Sequence, residues 1–146
     1  MEKESSGEKA NVKDVATKKA PVYLSKISRE TFDKLKEQIL RVLVVEKKYR
    51  ERGFSAKELA QLLHTNTRYI SIVLSVRYHA NYAQFVNRLR IEEAMAMLQD
   101  SRYADLSIEE LSDVVGFANR QSFYRAFCQI VGKTPREYQE AMSSDV

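Results

Sequence analysis

Phe54-Ser-Ala-Lys-Glu-Leu-Ala-Gln-Leu-Leu63 and Leu106-Ser-Ile-Glu-Glu-Leu-Ser-Asp-Val-Val115 decide the fold, because they are two copies of one pattern about 52 residues apart. Each opens with Ser followed three residues later by Glu (Ser55 and Glu58, Ser107 and Glu110). That is a capping box, in which hydroxyl and carboxylate reciprocally satisfy the orphan amides of a helix start. Each carries a mid-helix leucine, Leu59 or Leu111, with a small residue after it, Ala60 or Ser112, and ends apolar. A short turn follows, His64-Thr-Asn66 in one copy and Gly116-Phe-Ala118 in the other, and then another helical segment. A short helix, a tight turn and a second helix make a helix-turn-helix, and the small residue is needed where the second helix crosses closely.

The second helix of each copy is expected to divide into two faces. In the later one, Phe123, Ala126, Phe127 and Ile130 form the inward face, and Arg120, Gln121, Tyr124, Arg125 and Cys128 the outward one. Asn119 is the expected N-cap, which places Arg120 and Gln121 in the first turn. Arg pairs with guanine O6 and N7, and Gln with adenine N6 and N7, so this face suits base readout in a major groove. In the earlier copy Ile70, Val73 and Leu74 are the inward set, and Thr67, Arg68, Ser71, Ile72 and Ser75 face out. Ile72 has two readings, contact with a thymine methyl or packing against a neighbour.

Working outward, Ser28 is the expected N-cap of a first helix reaching about Arg50, with Phe32, Leu35, Ile39, Val42 and Leu43 as its buried stripe. Asn81 or Tyr82 opens a helix to about Asp100, burying Phe85, Val86, Leu89, Ala94, Met95 and Leu98. A third capping box, Thr134-Pro-Arg-Glu137, opens the last helix, with Pro135 at the first helical position where its missing amide is harmless. Gly116 and Gly132 are helix stops. The expected fold class is all-α with about seven helices. Two helix-turn-helix subdomains (54–79 and 106–140) are joined by a linker helix (81–100) within one domain, 27–142. Residues 1–26, rich in Lys, Glu, Ser and Ala, read as a flexible tail in which only Val22-Tyr23-Leu24 could dock.

Composition narrows the function. Four Gly and two Pro in 146 residues argue against an all-β fold. No run of eighteen apolar residues exists, so no membrane span is expected, and Met1 to Lys19 lack the apolar stretch of a signal peptide. Cys128 is the lone cysteine and neither His64 nor His79 stands at metal-ligand spacing from it, so no metal, no cofactor and a reducing, cytoplasmic setting are expected. No nucleophile–base pair or carboxylate dyad is visible, so an enzyme is not expected. The net charge of +4 says little, but its distribution says more. Residues 59–91 hold four cations and no acid, 92–113 seven acids and one cation, and 114–136 four cations and no acid. Both expected recognition helices lie in acid-free basic blocks.

Residues Phe54 to Tyr138 resemble the DNA-binding domain of AraC/XylS-type bacterial transcription regulators. The resemblance is carried by Val115-Gly-Phe-Ala-Asn-Arg-Gln-Ser-Phe-Tyr-Arg-Ala-Phe127, by Val131-Gly-Lys-Thr-Pro-Arg-Glu-Tyr138, and by Asn87-Arg-Leu-Arg-Ile-Glu-Glu-Ala94 in the linker. It implies two helix-turn-helix subdomains on one long helix. Twenty residues at ~1.5 Å each would span roughly 30 Å, close to the ~34 Å between successive major-groove faces. The chain departs from the family pattern at Ile72, where members often carry Arg, around Ser75 and Val76, where Lys is frequent, and at His64 and His79, which replace frequent glycines. Cys128 stands where Lys is common, and a small semi-buried filler is its ordinary role.

Expected base readers are therefore Asn119, Arg120, Gln121 and Arg125 in the second unit and, more weakly, Thr67, Arg68 and Ser71 in the first. Expected phosphate contacts are Arg88, Arg90, Lys133, Thr134 and Arg136, with an ion pair to a neighbouring acid as the rival role for Arg90. The partner is double-stranded DNA. Leu40 and Val44, off the main stripe of a helix apolar almost all round, offer a face for RNA polymerase or a second copy. The rival reading is a helical protein-interaction module whose polar faces never meet DNA. The chain reads equally as a stand-alone regulator or as the output domain of a larger sensor.

Overall fold

A computed structural model describes residues 27–144, and the expected 1–26 tail lies outside the described residues. Seven α-helices run in order: α1 (Arg29–Leu40), α2 (Ala56–Leu62), α3 (Thr67–Tyr78), α4 (Tyr82–Leu98), α5 (Ile108–Val115), α6 (Arg120–Val131) and α7 (Pro135–Ser144). No strand occurs among the described residues, so the all-α expectation holds.

The helix starts follow the capping chemistry. Ser28 accepts from the Thr31 amide at 3.0 Å. The boxes at Ser55–Glu58 and Ser107–Glu110 are closed in both directions, as is one from Asn81 to Gln84 that opens α4. The first helix is shorter than expected. Its last turn widens over Arg41–Val45, and Lys47 then takes a left-handed φ of 56°, ending the helix well before Arg50. This break turns the chain so that Tyr49 enters the core.

Two hydrophobic cores form, one per unit. Leu35 and Ile39 of α1, and Val42 and Leu43 of the widened turn after it, pack with Tyr49, Phe54, Leu59, Ile70, Val73, Leu74, Phe85 and Val86. Leu111, Val115, Phe117, Phe123, Ala126, Phe127 and Tyr138 pack with Ile91, Ala94 and Met97. α4 thus feeds the first core from its start and the second from its end. Its buried face shifts along the helix, which is why a single stripe missed Ile91 and Met97. Seventeen residues make α4 about 25 Å long, shorter than the twenty-residue spacer expected.

The repeat is visible in the packing. Ala60 and Ser112 are both buried, on helices α2 and α5 that pack against α3 and α6. Ser112 is only 1% exposed, and its Oγ has no hydrogen-bond partner. An unpaired buried hydroxyl is unfavourable, so Ser112→Ala should stabilise the fold by ~1 kcal/mol. A raised urea midpoint at constant slope would show it, and an unchanged or lowered midpoint would contradict it.

Candidate nucleic-acid interface

α3 and α6 are the second helices of the two units, and each is launched by an asparagine. Asn66 Oδ1 accepts from the Tyr69 amide at 2.9 Å, and Asn119 Oδ1 accepts from the Ser122 amide at 2.8 Å and from its hydroxyl at 3.0 Å. The carbonyl end of Asn119 is therefore committed to capping. The turns before these helices need positive φ, which His64 supplies at 56° and Gly116 at 108°. His79 closes α3 at 54°, in the place where a glycine is frequent.

On α6, Arg120, Gln121, Arg125 and Cys128 are exposed on one side, while Phe123, Ala126 and Phe127 are buried beneath them. Tyr124, half-buried, stacks edge-on to Phe123 at 6.0 Å, and the Arg120 guanidinium lies 4.9 Å from its ring centre. The neighbouring Tyr124 side chain raises the Arg120 pKa above its ordinary value. The i, i+4 spacing of this pair was legible in the sequence, and its effect is to hold an otherwise mobile side chain at the helix start. Ile130 was expected on the inward face but is 43% exposed. α7 reaches Phe127 through Tyr138, and Val131 packs into the core instead, leaving Ile130 uncovered in the last turn.

On α3, Thr67, Arg68, Ser71 and Ser75 are exposed as expected. Ile72 is not: it is 4% exposed, so of its two readings packing is the one observed. The equivalent place on α6, by alignment of the two N-capped helices, is the exposed Arg125. The outward faces of the two units therefore differ in kind.

Arg88, Lys133 and Arg136 are exposed cations near these helices in sequence. Thr134 is engaged in its own capping box. Its amide donates to Glu137 Oε1 at 2.9 Å and its hydroxyl accepts from the Glu137 amide at 3.0 Å, so it shapes the start of α7. Arg90 is half-buried, and its expected roles, phosphate contact or an ion pair with a neighbouring acid, give way to a third. Its Nε donates to the Tyr49 carbonyl at 2.7 Å and an Nη to the Glu51 carbonyl at 3.3 Å, with the Phe117 ring 5.5 Å away. Burial lowers its pKa, but a guanidinium stays charged at any ordinary pH.

The acidic block has a place as well. Glu93 accepts from the Tyr49 hydroxyl at 2.8 Å and from Arg50 through both carboxylate oxygens, and Arg52 meets Asp113 at 2.9 Å. Burial pushes the Glu93 carboxyl up, but the hydrogen bonds from Arg50 and Tyr49 outweigh it and hold the pKa below the ordinary value. This stabilisation is present above the unfolded carboxylate range and is lost as pH falls through the depressed folded value. Burial and the bond to Glu93 raise the Tyr49 hydroxyl to about 12. Two acids of the block between the basic ones, Glu93 and Asp113, thus pair with cations of the segment 47–52, and no acid lies within α3 or α6.

The helix-turn-helix domain family matches residues 59–141. The chain is 33% identical over 89 residues to the HTH-type transcriptional regulator YobQ of Bacillus subtilis, covering 61% of this chain and 36% of that protein. It is 29% identical over 101 residues to the melibiose operon regulatory protein of Escherichia coli, covering 60% and 31%. It spans about a third of the length of either of these relatives. Among solved structures, the C-terminal domain of AraT, a response regulator from Geobacillus stearothermophilus, superposes with a TM-score of 0.63 at 19% identity, covering 80% of this chain and 88% of that one. The C-terminal domain of the response regulator yesN from Fusobacterium nucleatum gives 0.60 at 22%, covering 73% and 96%. With the tandem fold, the two N-capped recognition helices and the family match in agreement, the chain belongs to the AraC-type helix-turn-helix family.

Proposed function

We propose that the chain is a sequence-specific DNA-binding transcription regulator that lays α3 and α6 in two adjacent major-groove segments of duplex DNA. The observation that carries this is the face of α6, where Arg120, Gln121 and Arg125 stand exposed over a buried aromatic core. Arg120, oriented by Tyr124, is the leading base reader, with Gln121 and Arg125 beside it. Asn119 sets the entry of α6, and its amide nitrogen is the part of the side chain left to face a base edge or phosphate. Thr67, Arg68 and Ser71 form a second, weaker reading face. Selecting bound sites from a random duplex pool tests the reading. Enrichment of two half-sites about one helical turn apart supports it, and failure to enrich any sequence refutes it.

Arg88, Lys133 and Arg136 supply phosphate contacts, which fix register without reading sequence. Lys133→Ala should weaken binding to every duplex alike and reduce the slope of log affinity against log salt by ~0.9. An unchanged slope would remove Lys133 from the interface. A contact with RNA polymerase or a second copy is supported near the end of α1, where Val44 is 39% and Val45 74% exposed. Leu40 is turned towards the first core and leaves that surface. No feature of the described residues favours a purely protein-binding module over this reading, since the acid-free faces coincide with the two recognition helices.

A further inference from the structure

Between α1 and α2, residues 47–52 belong to neither copy of the repeat, yet they join the two units. Tyr49 is anchored in the first core by its ring. Its hydroxyl and the Arg50 guanidinium reach Glu93 on the second half of α4, and Lys47 approaches the same carboxylate at 3.9 Å. Arg90, on the same helix, donates to the Tyr49 and Glu51 carbonyls. From the other side the second unit closes on this backbone. A Cβ added to Gly116 would lie 2.6 Å from the Tyr49 carbonyl oxygen and 2.8 Å from that of Arg50. Phe117, the next residue, lies in the second core and beside the Arg90 guanidinium.

We propose that this seam is a spacing gauge, in which Arg90, Glu93 and Gly116 hold α3 and α6 at one separation and angle, so that the chain selects operators by half-site spacing as well as by base sequence. The proposal rests on the DNA-binding reading above. A single helix between two small domains leaves them free to bend and twist, and motion is the default for modest interfaces. Here the units have a second attachment, off the axis of α4, made of charge-assisted bonds and a backbone contact too close for any side chain. Two separate attachments remove the pivot. One inserted base pair moves a half-site by ~3.4 Å along the duplex and turns it by roughly 35°. A rigid pair of readers cannot follow that displacement, whereas a hinged pair can.

The seam can be tested with and without DNA. Cys128 is the only cysteine and is exposed on α6, and Ser75 is exposed on α3, so Ser75→Cys permits a spin label on each recognition helix. The labelled parent should give one narrow distance, and adding Arg90→Met with Glu93→Ala should broaden the distribution about twofold. In parallel, inserting one base pair between selected half-sites should weaken the parent by about tenfold and the variant by less than about threefold. If circular dichroism shows that the Arg90 variant loses helix, Arg50→Ala with Glu93→Ala repeats the test through an exposed guanidinium. An unchanged distance width, or an equally steep spacing profile in the variant, overturns the proposal. Failure of every form to bind DNA would sink the DNA reading, while the label distances would still judge the seam.

Discussion

Gly116→Ala should lower stability by about 3–4 kcal/mol, the largest single effect expected from a one-carbon change in this protein. Two causes add. At φ 108° a side chain is strained by ~1–3 kcal/mol wherever it stands. The new methyl would also meet the Tyr49 and Arg50 carbonyl oxygens below 3.0 Å, and these are backbone atoms that cannot swing aside. Forcing such a contact costs about 1–3 kcal/mol through displaced backbone. For a chain of this size the melting temperature should fall by roughly 10 °C. Gly132 is the internal control, because it also has positive φ, 86°, but has open space around its missing Cβ. Gly132→Ala should therefore show the conformational part alone. Equal losses at the two positions would mean that the close approach at Gly116 contributes nothing, and would weaken the seam as a structural device.

Arg120→Ala should have the largest effect on DNA recognition. Loss of a bidentate contact removes ~1–3 kcal/mol of discrimination, or about 5- to 150-fold in affinity for the selected site. Binding to scrambled duplex should change far less, so the ratio of the two affinities is the quantity to measure. Tyr124→Leu supplies the companion test. It keeps an apolar group against Phe123 but removes the surface over which Arg120 lies, so it should reproduce part of the loss with the base preference relaxed at the same position. An Arg120→Ala chain that discriminated as well as the parent would move the reading face elsewhere, first to Arg125. The first unit should respond less, because Arg68 is the one cation among its expected readers and Ile72 is buried away from a groove.

Much of this molecule was legible because its signals are local. Capping boxes act within four residues, so Ser55–Glu58, Ser107–Glu110 and Thr134–Glu137 mark their helices without any tertiary help. The repeat made the two units visible, and the acid-free blocks coincide with α3 and α6. The same local reasoning placed Arg120, Gln121 and Arg125 on one exposed side over Phe123 and Phe127.

What the sequence could not decide is what lies across from each residue. Arg88 and Arg90 are two residues apart in one helix and look alike on the page. One points to solvent, while the other is drawn into two backbone carbonyls by a turn 39 to 41 residues earlier. The acidic block read only as a spacer between basic ones, and it is the packing of 47–52 against α4 and α5 that turns Glu93 and Asp113 into partners for Arg50 and Arg52. Helices, caps and exposed basic faces follow from interactions within a few residues, so the sequence alone determines them. The angle between the two readers depends on contacts between segments some forty to sixty residues apart, and only the tertiary structure brings those together.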